Sequence, residues 1–262
     1  DLVRKKRRVF GLMHNYTGYP MVKLARDMVN AGDLGQILKV VVKYPQGWLA
    51  RPIERDGQKQ ASWRTDPKQS GAGCIGDIGT HAANLAEYVS GLQIRRLCAD
   101  MTTFIKRRRV DDDVNVLLRF SKGAKGLLHA SQVSIGEENN LSIWVHGSEA
   151  SLEWHQEHPN WLHFRPMDAP EQIWKRGNEY IGAKSAAAAR CTRLPMGHPE
   201  AFIEAFANNY VNFADTIRAR NAKRKPSEIE KDFPNVTDGV RGMRFIQAVL
   251  KSADKGAAWV EM

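Results

Sequence analysis

Val114-Asn115-Val116-Leu117-Leu118-Arg119-Phe120 is the stretch on which the fold turns. Val114, Val116, Leu118 and Phe120 occupy alternate positions, so an extended chain presents them on one face. The same period of two recurs at Leu141, Ile143 and Val145. Turn signals separate such runs, at Lys122-Gly123, Glu138–Asn140, Gly147-Ser148 and His158–Asn160. From residue 93 to about residue 176 the pattern predicts hairpin-connected antiparallel strands in one open sheet.

Outward from this block the period lengthens. On the N-terminal side, Arg8–His14 reads as a short buried strand, and Pro20 opens a helix with Met21, Leu24, Ala25 and Met28 on one face. Gly32 closes that helix. A Val-rich strand over residues 36–44 ends at Tyr44, and a long polar loop runs from Pro45 to about Ser70. A loop of that length usually carries function. A helix is expected from about Gly79 to Val89, ended by Gly91. On the C-terminal side, Ala183–Ala189 reads as a linker. A helix from His198 to about Ala222 would bury Phe202, Phe206, Tyr210, Phe213 and Ile217. A second helix from about Asn235 to Ala253 and a last strand, Ala257–Glu261, complete the chain. Strands in one block with helices at either end define an α+β class, not a βαβ alternation.

Bulk properties exclude several functions. No apolar run approaches the ~20 residues of a membrane helix. The three cysteines, Cys74, Cys98 and Cys191, lack metal-ligand spacing and read as free thiols in a reducing cytoplasm. The net charge of +10 is spread over clusters at Lys5–Arg8, Arg107–Arg109 and Lys223–Lys225. Without interleaved aromatics these read as solvated surface rather than a nucleic-acid site. The first residue is Asp rather than Met, which suggests processing, cleavage, or a piece of something longer.

The chemistry concentrates in Gly71-Ala-Gly-Cys-Ile-Gly-Asp-Ile-Gly-Thr-His81. Its G-x-G-x-x-G matches the dinucleotide fingerprint in letters only, because the polar stretch before it, Trp63–Ser70, cannot be a buried strand. The glycines would instead let backbone pass close to a ligand. Asp77 and His81, four residues apart, can share a helix face, the carboxylate orienting an imidazole that moves a proton. A helix cap at Asp77 and a core histidine at His81 fit the same letters. His198, at a helix start, serves equally as site residue or turn. Trp48, Trp63 and Arg64 suit a polyol by stacking and bidentate bonding, or simply pack the loop. His155, His158 and His163 lack a completing ligand, so no metal site is expected.

Four segments, His14-Asn-Tyr-Thr-Gly-Tyr-Pro20, Gly32-Asp-Leu-Gly35, Gly76-Asp-Ile-Gly-Thr-His81 and Gly197-His-Pro-Glu200, together resemble the Gfo/Idh/MocA oxidoreductases along the whole chain. The resemblance implies a large open, mostly antiparallel sheet with helices on one face, like the C-terminal domain of glyceraldehyde-3-phosphate dehydrogenase. Residues 1–16 would hold the last strand of a Rossmann domain, and 17–262 the substrate-binding and oligomerisation domain. The fingerprint and the Glu-Lys-Pro motif of such a Rossmann domain are not in residues 1–262. By resemblance, His81 is the general acid/base and Asp77 its partner. Tyr44, Trp63, Arg64 and His198 face the substrate, while Asn15 and Tyr16 face the cofactor, with Thr17 where the family has arginine. The implied activity is oxidation of a secondary alcohol of a sugar, inositol or related polyol by NAD or NADP, which the missing domain would mainly bind. This chain alone would then be inactive. An NAD-dependent glycosidase and a non-catalytic oligomerisation or sugar-binding domain are the alternatives. Homodimer or homotetramer packing through the sheet is implied, with Trp144 and Trp154 on its solvent face.

Overall fold

A computed structural model describes all residues, 1–262. The strands are β1 (Ile37–Pro45), β2 (Ile94–Thr102), β3 (Asp113–Phe120), β4 (Lys125–Ser131), β5 (Ser142–Gly147), β6 (Ala150–His155), β7 (Trp161–Pro166), β8 (Gln172–Lys175) and β9 (Val260–Glu261). They form one nine-stranded sheet in the order β8-β7-β6-β5-β1-β4-β3-β2-β9. The expected run of hairpins is there. It is interrupted at its centre, where β1 inserts between β5 and β4 and pairs parallel to β4, Val42 opposite Leu128. All other pairings are antiparallel.

The α-helices are α1 (Leu2–Lys5), α2 (Pro20–Ala31), α3 (Lys59–Arg64), α4 (Pro67–Ser70), α5 (Thr80–Ser90), α6 (Glu179–Lys184), α7 (Ala186–Arg190), α8 (Phe202–Asn221) and α9 (Val236–Asp254). One sheet face, carrying Val40, Val42, Val116, Leu128, Ile143 and Leu152, is fully buried beneath helices that include α2, α5 and α9. Pro20 begins α2 and Gly32 ends it in the left-handed region at φ 85°, as the sequence predicts. No helix is long and apolar enough to cross a membrane.

The structure departs from the sequence pattern in four places. Arg8–His14 forms no strand. Phe10 is 42% exposed, and the backbone bonds at Leu12, its amide to the Pro234 carbonyl and its carbonyl from the His14 amide, form no ladder. Ala183–Ala189 is not a linker, since α6 and α7 occupy it. Trp154 lies on the core side, packed at 5.2 Å on Tyr19 and bonded through Nε1 to the Pro159 carbonyl; only Trp144 is on the open face.

The fourth departure concerns α8. This helix begins after His198, and its buried stripe is Ala205, Asn208, Asn209, Asn212, Thr216 and Ala219, while Phe202 and Tyr210 are exposed. The buried face lies on irregular chain whose carbonyls need donors. The Asn208 amide donates to the Gly18 and Cys191 carbonyls, Asn212 to Asp232, and Thr216 to Glu230. Satisfying buried carbonyls outweighs burying aromatics there.

Candidate active site

Asp111 builds the glycine-rich loop. Its carboxylate accepts the Gly73 and Ile75 amides and the Cys74 thiol, at 2.6, 2.7 and 3.2 Å. A Cβ at Gly73 would lie 1.8 Å from the Asp111 carbonyl oxygen, so glycine there serves a backbone crossing and not a ligand. Residues Ile75–Gly79 then form a π-helical turn that runs into α5. Such turns recur at functional sites.

Asp77 lies in that turn and His81 in the first turn of α5. The carboxylate of Asp77 does not orient the ring of His81. Oδ2 of Asp77 accepts instead from Arg64 Nε at 2.9 Å and Gln132 Nε2 at 2.8 Å. Arg64 is stacked on Trp63, with its guanidinium carbon 4.3 Å from the ring centroid. What orients His81 is His14, whose Nδ1 lies 3.1 Å from Nδ1 of His81, the two rings meeting edge-on.

Both imidazoles are uncharged at neutral pH. Burial, helped by the neighbouring His81, lowers His14 to about 3. Burial lowers His81 to about 4. No protein group bonds to Nε2 of His81, and the ring borders a cleft of about 660 Å³ lined also by Tyr16, Tyr44, Trp48, Arg64, Asp77 and Asn139. That volume falls within the roughly 300–1,000 Å³ of small-molecule sites.

Beside His81 the cleft wall carries a hydroxyl and amide network. The Tyr16 and Tyr44 hydroxyls share a short hydrogen bond, and Tyr44 donates to Asn139 Oδ1 at 2.7 Å. Gln46 Nε2 donates to the same oxygen, and Trp48 Nε1 donates to Gln46. Tyr16 also packs edge-on against His81, centroids 5.1 Å apart. Burial raises the pKa of both phenols, so they remain protonated donors.

Of the residues picked from the sequence, the cleft gathers His81, Asp77, Tyr44, Trp48, Arg64 and Tyr16. Trp63 supports Arg64 without lining the cleft. Asn15 is buried beside it, its Nδ2 without a partner. His198 is exposed and borders a different hollow, with Trp161 and Arg176. His14, Gln132, Asn139 and Asp111 were not singled out from the sequence. Their only signal lies in three-dimensional contact, since His14 is 67 residues from His81 and Gln132 is 55 from Asp77.

The fold and the cleft together define an α+β domain with a buried imidazole set among hydrogen-bond donors on one side of a large sheet. A sequence profile of the GFO/IDH/MocA C-terminal domain matches residues 22–153, and the chain belongs to that oxidoreductase family. It is 31% identical to the uncharacterized oxidoreductase YfiI of Bacillus subtilis, the match covering 99% of this chain and 66% of the relative. It is 27% identical to levoglucosan dehydrogenase of Pseudarthrobacter phenanthrenivorans, over 100% of this chain and 69% of that enzyme. Among solved structures, an inositol dehydrogenase homolog of Azotobacter vinelandii complexed with NAD+ superposes with a TM-score of 0.90 at 34% identity. That match covers 100% of this chain and 67% of the other. The chain thus spans about two-thirds of the length of these relatives.

Proposed function

We propose that this chain is the substrate-binding and proton-transferring part of an NAD(P)-dependent oxidoreductase acting on a secondary alcohol of a sugar, inositol or related polyol, or on the matching ketone. One observation carries the reading: an uncharged imidazole, His81, presents an unbonded Nε2 to a cleft rich in donors. The names of the relatives agree with it, since they include a complex with NADH and myo-inositol and a levoglucosan dehydrogenase.

In this reading the substrate hydroxyl binds at His81 Nε2, which takes its proton in oxidation and returns one in reduction. A positioned base of this kind contributes ~10²–10⁴ in rate. Asp77, held by Arg64 and Gln132, accepts a neighbouring hydroxyl through its second oxygen, and Tyr16 and Arg64 orient the rest of the polyol.

The chain's residues fit only the nicotinamide end of a dinucleotide. Asn15, whose buried Nδ2 has no partner, and Tyr16 at the edge of the cleft would meet that end beside the substrate. No strand here runs through a glycine-rich turn into a helix, the arrangement that grips a pyrophosphate. When bound, nicotinamide would accept or return the hydride. We therefore assign the rest of the nucleotide to a Rossmann domain preceding residue 17.

The open sheet face carries a row Trp144, Val41, Leu127 and Leu117, in register across β5, β1, β4 and β3. We assign it to packing of a second copy of the chain. The three unpaired cysteines suit a cytoplasmic setting.

The test is polyol-dependent reduction of NAD+ or NADP+ by the protein joined to its nucleotide-binding domain. His81→Ala should lower kcat by ~10² or more with the fold intact. Full activity in that variant would overturn the assignment.

A further inference from the structure

We propose that His14 is a proton-relay partner of His81, carrying the substrate's proton through the wall of the cleft to a second hollow. The inference rests on the reading of His81 as the proton-transfer group and adds a route to it.

The geometry is that of a wire. His14 and His81 touch through Nδ1 atoms 3.1 Å apart, so one ring must donate and the other accept. His81 borders the polyol cleft, while His14 borders the hollow of Phe10, Leu12, Thr80, Val240 and Gln247 on the other side. The Nε2 atoms of both rings are free of protein partners. A structural histidine buried for packing would spend its second nitrogen on a backbone or side-chain acceptor, and His14 does not.

The relay balances. Before oxidation His81 holds its proton on Nδ1 and donates to His14 Nδ1, and His14 holds its own on Nε2. The substrate O–H bond breaks and its proton joins His81 Nε2. The His81 Nδ1 proton crosses to His14 Nδ1, and the His14 Nε2 proton leaves to water in the second hollow. The hydride goes to the nicotinamide of the proposed reading. Both rings end neutral with their tautomers exchanged. The reverse transfer resets them once product has gone and water fills the cleft. Each ring stays neutral at rest because burial disfavours its cation, which keeps the wire ready to conduct. The groups facing the pair are Tyr16 and Tyr44 from the cleft, Asp77 with Arg64 from the turn before α5, Asn209 from α8 and Arg244 from α9. None of them bonds to either ring, so none competes for the shared proton.

Two variants separate relay from positioning. His14→Asn keeps an oxygen able to accept from His81 Nδ1 but cannot pass a proton on, and His14→Phe removes both capacities. In the protein with its nucleotide domain, a relay predicts that both variants lose about tenfold or more in kcat with KM unchanged. It also predicts that added imidazole buffer restores rate, and that a curved wild-type proton inventory becomes linear. Wild-type kcat in His14→Asn, or a loss in which imidazole has no effect, overturns the relay. His81→Ala in the same assay keeps the two ideas apart: if it is inactive while His14→Asn is normal, only the relay fails. If His81→Ala is active, the parent reading fails. In residues 1–262 alone, nitrogen-15 spectra should give two neutral rings sharing one Nδ1 proton at pH 7, and a His81 tautomer unmoved by His14→Asn. Two separately solvated rings would overturn the relay without reference to turnover.

Discussion

Arg64 Nε holds Asp77 Oδ2 at 2.9 Å while its guanidinium stacks on Trp63, so a loop residue fixes the carboxylate of the cleft. The long polar loop thereby has a structural role, because α3, inside it, delivers Arg64 to the turn before α5. Both partners are about a quarter exposed, so the pair adds little to stability, on the order of 0–1 kcal/mol. Arg64→Met is expected to leave urea unfolding nearly unchanged. It should weaken polyol binding or kcat/KM by about 10- to 100-fold, because Asp77 then moves. Calorimetric titration and denaturation on one preparation check both halves.

Acid should loosen the fold through the same two imidazoles that meet in the cleft wall. His14 and His81 titrate near 3 and 4 in the folded chain, below the ordinary 6.5. Between those values the unfolded chain binds more protons, so stability is full above about pH 6.5 and is lost as pH falls toward 4 and 3. The loss amounts to a few kcal/mol, on the order of one per pH unit traversed for each ring. Urea midpoints at pH 7 and pH 4.5 measure it. His14→Phe with His81→Phe should flatten the slope, and an unchanged slope would assign the acid sensitivity to other groups.

What was legible in the sequence follows from how local each signal is. Alternation at Val114–Phe120 and Leu141–Val145 is a property of neighbours, and it correctly foretold a sheet with one covered face. That β1 lies parallel to β4 depends on a partner 86 residues away, which no local period encodes. The four-residue spacing of Asp77 and His81 assumed regular helix. The π turn over Ile75–Gly79 inserts extra backbone, and this swings Asp77 toward Arg64 and Gln132 instead. The aromatic stripe of α8 misled for a further reason: periodicity reports that a face is distinct, not what lies opposite. Opposite α8 are bare carbonyls, and asparagines answer them.

Helix α8 supplies the next prediction. A Cβ at Gly18 would lie 2.1 Å from the Ala205 carbonyl oxygen, so helix and turn are in backbone contact there. Gly18→Ala should force them apart at a cost of ~1–3 kcal/mol and disturb Tyr16 two residues away. Asn208→Leu leaves the buried Gly18 and Cys191 carbonyls without their donor and should cost ~1–3 kcal/mol for each. Tyr210→Ser, on the exposed side, should cost under ~0.5 kcal/mol. Thermal unfolding of the three variants gives the ranking. If Tyr210→Ser proved the most damaging, the aromatic face would be the one that holds the helix.

The proposed division of labour between substrate and nucleotide can be tested on residues 1–262 directly. The cleft with His81, Tyr44 and Asn139 lies wholly within them, so myo-inositol or levoglucosan should bind at about millimolar strength, and Tyr44→Phe should weaken it. NADH is different. Asn15 and Tyr16 would meet only the nicotinamide end, whereas most dinucleotide affinity comes from a helix N-terminus that grips the pyrophosphate, and no such element follows a strand here. NADH fluorescence should therefore show no saturation below about millimolar concentration. Joined to the nucleotide-binding domain proposed above, the chain should bind NADH at about micromolar strength. Tight NADH binding by residues 1–262 would mean that the Gly71–Gly76 loop holds phosphate after all, despite the close packing of Gly73 on Asp111.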